Sequence, residues 1–282
     1  MRTRKQIFRI LISFSILILT TGCNGQKMTQ EMEVKDKYWN ALSTNVVSLF
    51  KQGKLDEAEK YALEALNVAR TTFGDKHPKV SASLSNIGEI KRTKGNYPEA
   101  ESLYKQALAI DEKTLGKNDV SVAKDLGNLA VLYRITGRLE ESEILHKRAL
   151  AIREKHFDKN HPEVAISLSN LGVLYTAEGR FEEAESLLQR ALSIRQMVYM
   201  SDNPDIAISL NNLAEVYSAK GEFDKAESLF KQSIALLEKS LGKNHPNVIA
   251  IQKNLSLLYE KKKNTISQNN EKKNHIQIKV SK

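Results

Sequence analysis

Disulfide bonds cannot hold this chain together, because Cys23 is the only cysteine among its 282 residues. Proline (5) and glycine (13) are scarce as well, and with 41% hydrophobic residues this excludes a loop-dominated or sheet-rich design and predicts a folded, helix-rich protein. Long apolar runs are missing. The longest, Ile10 to Leu19, falls short of the roughly 18 to 20 residues that cross a bilayer. No glycine-rich phosphate loop, no His-Glu-x-x-His and no nucleophile with a matching base is found, so the sequence offers no catalytic or metal-ligating set and implies neither enzyme nor cofactor. A surplus of one charge sign is lacking too, once its location is considered. The net charge of +9 sits at the ends, in Arg2, Arg4, Lys5 and Arg9 and in seven lysines against Glu271 from Lys261 onward, which leaves residues 10–260 at −1. A nucleic-acid partner therefore loses its electrostatic basis.

What is present begins with an address. A basic segment, Arg2 to Arg9, precedes the short apolar run, which ends in Thr20-Thr21-Gly22-Cys23. That is the build of a signal peptide over 1–22, and the cysteine after a small residue resembles a bacterial lipoprotein signal. The resemblance implies that Cys23 is lipidated and becomes the first mature residue. Two acyl signals would anchor it stably, which one chain does not. Thr20 stands where that family prefers an aliphatic residue, and ordinary cleavage or an uncleaved anchor is the alternative. Each reading makes the body an exported protein, and the lipoprotein reading makes it a membrane-anchored one of the periplasm or outer membrane. Residues 23–37 are polar without an apolar face and are expected to form a tether.

The body is written five times. Gly53, Gly95, Gly137, Gly179 and Gly221 each open a Gly-x-x-x-x-(Ala/Ser)-Glu segment, and each lies 42 residues after the last. The same step relates His77, His161 and His245, each followed by proline, and it relates Asn86, Asn128, Asn170, Asn212 and Asn254. Between Val164 and Ile194 one copy reads as an apolar face of helical spacing, a glycine break and a second such face. Such a unit cannot bury its core alone, and stacking is its remedy.

The repeat resembles the tetratricopeptide repeat, and closely the 42-residue variety of kinesin light chains. The resemblance rests on Leu126-Gly-Asn-Leu-Ala130, Leu210-Asn-Asn-Leu-Ala214, Arg148-Ala-Leu-Ala-Ile-Arg153 and Leu241-Gly-Lys-Asn-His-Pro246. It implies an all-α solenoid over about 38–263, with pairs near 38–73, 78–115, 120–157, 162–199 and 204–241 and a capping helix near 246–262. The residues agree. Asp119, His161, Asn203 and His245 stand where helix caps are needed, and prolines follow three of them at the first helical position. Ala100, Ser142, Ala184 and Ala226 are small enough for two helices to approach, and Tyr133, Tyr175, Tyr217 and Tyr259 fall at a core position. Beyond Lys263 the basic tail, 264–282, lacks periodicity and is expected to be disordered.

Asparagine is a mediocre residue inside a helix, yet it recurs in the first helix of every pair from the second onward. At 100° per residue Asn170 lies about 200° from Leu168, away from the core. In tetratricopeptide domains this helix lines the concave surface, and the corresponding asparagine binds the backbone of an extended peptide. The resemblance thus makes Asn86, Asn128, Asn170, Asn212 and Asn254, with the adjacent Asn211, candidates for a peptide-binding groove. Holding neighbouring helices in register is the other role open to them. Ile166, Val173, Ala177 and Ile208 give the groove an apolar lining, and Arg92, Arg134 and Lys124 add positive charge toward its N-terminal part. The expected function is a non-enzymatic scaffold for a protein partner. A cell-wall or carbohydrate-associated protein and a structural spacer are the alternatives.

Overall fold

The computed structural model describes the backbone of residues 24–280 and the side chains of residues 30–268; the signal segment and Cys23 lie outside these. Eleven helices and no strand occur among the described residues: α1 (Asn24–Lys51), α2 (Leu55–Phe73), α3 (Pro78–Thr93), α4 (Tyr97–Thr114), α5 (Val120–Ile135), α6 (Leu139–His156), α7 (Pro162–Ala177), α8 (Phe181–Val198), α9 (Pro204–Lys220), α10 (Phe223–Leu241) and α11 (Pro246–Val280). They form five antiparallel pairs and an unpaired last helix.

Local chemistry sets the boundaries. The side chains of His77, Asp119, His161, Asn203 and His245 accept a hydrogen bond from the backbone N–H two residues on, at 2.8–3.2 Å. The histidines do so through Nδ1, which makes them caps rather than ligands. Phe73 and Phe157 stack on the His77 and His161 rings at 4.7 and 4.2 Å between centroids and hold them in place. At the other end of α7, Gly179 adopts φ +76°, which lets Arg180 N–H reach back to the Tyr175 carbonyl at 2.9 Å and starts α8 with Glu182 and Glu183 in its first turn.

Within each pair small residues meet large ones. Ala100, Ala184 and Ala226 are fully buried, and Ser142 at the same place donates to the Ala130 carbonyl at 2.8 Å. Between pairs a repeated polar step fixes the register. The hydroxyls of Tyr133, Tyr175, Tyr217 and Tyr259 donate to Glu101, Glu143, Glu185 and Glu227, the last helix of the preceding pair, at 2.8–3.1 Å. Arg138 and Arg180 lie over the Tyr133 and Tyr175 rings and pair with the same glutamates at 2.9 Å.

The ends differ from the sequence expectation. Residues 24–37, read as a tether, are the start of α1, and α11 continues to Val280 through the segment expected to be disordered. Neither stretch contains a proline, and lysine, glutamate and glutamine are good helix formers, so helix propagates from the packed portion without an apolar face to demand it. Tyr259 is the exception among its equivalents. It is 43% exposed, because no further helix among the described residues packs over it. None of the described helices is long and apolar enough to cross a membrane.

Candidate functional site

Which helices face inward follows from the packing. The first helices of successive pairs, α1, α3, α5, α7, α9 and α11, each touch the next in the row, whereas no such contact joins the second helices among the described residues. The first helices therefore crowd together on the inner, concave side of the curve, and the second helices fan out around it.

The face that α7 turns inward carries Ile166, Asn170, Val173 and Ala177, at steps of three and four residues. Ile166 and its equivalent Ile208 remain 38% exposed, although both are large and aliphatic. Asn86, Asn128, Asn170, Asn212 and Asn254 are all half-buried along this strip. They divide into two groups. The side-chain amides of Asn86, Asn128 and Asn170 make no hydrogen bond to any described residue. At the C-terminal end the amides close on one another. Asn254 Nδ2 donates to Asn211 Oδ1 at 3.2 Å and to Glu215 Oε1 at 3.0 Å, and Asn211 Nδ2 donates to Glu215 at 2.9 Å and to Asn212 Oδ1 at 3.4 Å. Of the two roles open to the asparagines, the geometry joins Asn211, Asn212 and Asn254 in a register-holding network and leaves three amides with both donors and acceptor open.

Glu215, on the groove face with Ile208, anchors that network. Burial raises its carboxyl above the usual range, against the hydrogen bond from Asn211 and the positive charges of Arg134 and Lys261. Arg134 in α5 is half-buried with no ion pair among the described residues. Burial holds its guanidinium below the ordinary value, Glu215 two pairs away opposes that, and Arg92 reinforces it. Arg92 is otherwise engaged. It pairs with Glu89, which also accepts from Tyr104 Oη at 2.8 Å. The groove is thus apolar along its sides, amide-lined in its middle, and positively charged at Arg134.

The family model described as tetratricopeptide repeat matches residues 40–113, 121–197, 163–239 and 205–265. Among solved structures, a putative kinesin light chain with nearly identical TPR-like repeats from Podosopora anserina is similar at 26% identity and a TM-score of 0.55, over 72% of this chain and 96% of that one. BtubC (BKLC) from P. vanneervenii is similar at 24% identity and 0.59, over 78% and 92%. Pseudomonas aeruginosa pilF is similar at 15% identity and 0.52, over 83% and 99%. These last two likenesses concern the fold alone. No curated protein sequence matches the chain significantly.

Proposed function

Because the chain belongs to the tetratricopeptide-repeat family, we propose that it is a non-enzymatic scaffold that takes up an extended polypeptide segment along its concave face. The observation that carries this reading is the row of free amides, Asn86, Asn128 and Asn170, one per pair, on helices that touch along the inner side. An amide ladder at a fixed step suits a backbone, which repeats donors and acceptors whatever its side chains. The exposed Ile166 and Ile208 beside it suit apolar side chains of that segment. Within the same proposal Cys23 is lipidated and α1 rises from the membrane carrying the solenoid, which places the protein among the exported, membrane-anchored lipoproteins.

Two experiments test the two halves. Affinity capture from native cells with Asn86, Asn128 and Asn170 changed together to Ala is expected to lose partners that the wild type recovers, with helicity unchanged. Undiminished recovery would refute the groove, and no specific partner with either protein would favour a spacer. Palmitate labelling is expected in the wild type and not in Cys23→Ser. Failure to label the wild type would end the lipoprotein reading.

A further inference from the structure

The stack repeats one arrangement in its interior and then reverses it at one joint. Arg153 in α6 is 4% exposed and donates to Ser167 at 2.6 Å and to Glu163 at 3.0 Å. One period later Arg195 in α8 is 7% exposed and donates to Ser169 at 2.8 Å and Ser209 at 2.5 Å. In each case a guanidinium from a second helix is buried against the first helix that follows it, α7 for Arg153 and α9 for Arg195, and Arg195 also reaches back to α7. One period before Arg153 the residue is Asp111, and where Ser167 receives the guanidinium the equivalent residue is Asp125.

The result is a cavity of about 240 Å³ between α3, α4 and α5. Its inner part is formed by Ser81, Ser85, Asp111 and Asp125, each at most 4% exposed. Asp125 Oδ1 accepts from Ser85 at 2.8 Å and its Oδ2 accepts from Ser81 at 3.3 Å. Asp111 Oδ1 is buried and accepts from nothing. Both carboxyls are held above the ordinary aspartate range chiefly by burial; the charge of Asp111 raises Asp125 further, and that of Asp119 raises Asp111. At the mouth stand Trp39, Lys79, Ala82 and the exposed Lys124. Lys79 is already neutralised, at 2.9 Å from Asp36 and 4.0 Å over the Trp39 ring, which leaves Lys124 as the cation among the described residues that offsets the two aspartates.

We propose that the cavity between α3 and α5 is a receptor for a guanidinium or ammonium side chain of the bound segment, which takes the place that Arg153 and Arg195 fill from within the chain at the next two joints. The mouth, at Ala82 and Lys124, is one helical turn before Asn86 and Asn128 on the same helices, so a segment on the amide ladder passes over it. The unpartnered Asp111 Oδ1 is the acceptor such a cation needs, and a planar guanidinium can bridge it to Asp125. A metal ion is the weaker occupant. No group of three acidic, histidine or cysteine side chains among the described residues could hold one, and calcium requires six to eight oxygen ligands.

The inference rests on the groove reading only for the delivery of the cation, and its test needs no partner protein. Trp39, the only tryptophan in the chain, stands at the mouth and reports on it. Titration with Nα-acetyl-arginine amide near pH 8 is expected to change Trp39 emission saturably, while the neutral citrulline amide leaves it unchanged. Asp111→Asn with Asp125→Asn should weaken the response roughly tenfold or more, the scale of a lost hydrogen bond to a charged group. Asp111→Arg, which restores the guanidinium of the following joints, should abolish it, and provides the readout should the double variant fail to fold. An equal response to citrulline amide, or an undiminished one in Asp111→Arg, would overturn the proposal. So would a response to calcium or manganese chloride alone. Failure here with a working amide ladder would refute the receptor and spare the groove; the converse result would do the opposite.

Discussion

Asp125→Asn should stabilise the protein, and only at neutral to alkaline pH. Burial and the facing Asp111 raise the Asp125 carboxyl from 3.8 to about 7. The folded state therefore keeps a proton that the unfolded state gives up. Stability is full below about pH 4, falls as pH climbs from about 4 to about 7, and is level above that. At about 1.4 kcal/mol per pH unit, the ionised residue costs the fold up to about 4 kcal/mol near pH 8. Asparagine removes that cost, can still accept from Ser85, and offers its amide to the unpartnered Asp111 Oδ1. A gain of about 2–4 kcal/mol near pH 8, shrinking to within about 0.5 kcal/mol near pH 4, is expected. Urea unfolding followed by far-ultraviolet circular dichroism at several pH values measures it. The difference between variant and wild type is the informative quantity, because His146 slopes the other way. Burial lowers its imidazole from 6.5 to about 4, so its contribution is lost as pH falls across nearly the same window. A gain of equal size at both pH extremes, or a loss near pH 8, would refute the reasoning.

His146→Gln should flatten the acid limb of the same unfolding profile, since the glutamine cannot gain the proton that the buried imidazole resists. Gly172→Ala should destabilise by about 1–3 kcal/mol, because a Cβ there would stand 2.6 Å from Leu188 Cγ and 3.3 Å from the Ala184 carbonyl, whereas Gly127→Ala meets nothing within 4 Å and should gain up to about 1 kcal/mol of helix propensity. Thermal melts of the two variants side by side distinguish close packing from a general glycine effect. Arg195→Ala should cost about 2–4 kcal/mol, since Ser169 and Ser209 lose the buried donor between them; urea midpoints check it, and a change below about 0.5 kcal/mol would show the joint to be insensitive.

The period made the helix pairs legible, because glycine, proline and cap residues recur at one step and each has a local physical meaning. Boundaries from Leu55 to Leu241 fall where those signals place them. The ends were harder to read. There the expectation depended on composition alone, and polar residues without proline continue a helix as readily as they form a tether. Among the candidate residues, the shared spacing of the five asparagines hides a difference that only neighbours reveal. Asn254 reaches Asn211 and Glu215 across the groove, whereas Asn170 has Val173 one turn on where Asn212 has Glu215. The aspartate cavity did leave a sequence signal. Aligning the copies places Asp111 opposite Arg153 and Arg195, a charge reversal at a repeated position, but a list of resemblances passes over it because it breaks the pattern instead of making it.

The tyrosine-to-glutamate step between pairs joins residues 32 apart in sequence, and every copy of it is offset by the same 42. Removing or duplicating one whole period therefore returns each tyrosine to a glutamate of the right kind. Loss of residues 138–179 would delete Glu143 together with Tyr175 and leave Tyr133 on Glu101 and Tyr217 on Glu185. In genetic terms the joints are interchangeable. Recombination in register can lengthen or shorten the solenoid without redesigning an interface, while the charge reversal at Asp111 keeps its place as a landmark by which the copies can be told apart.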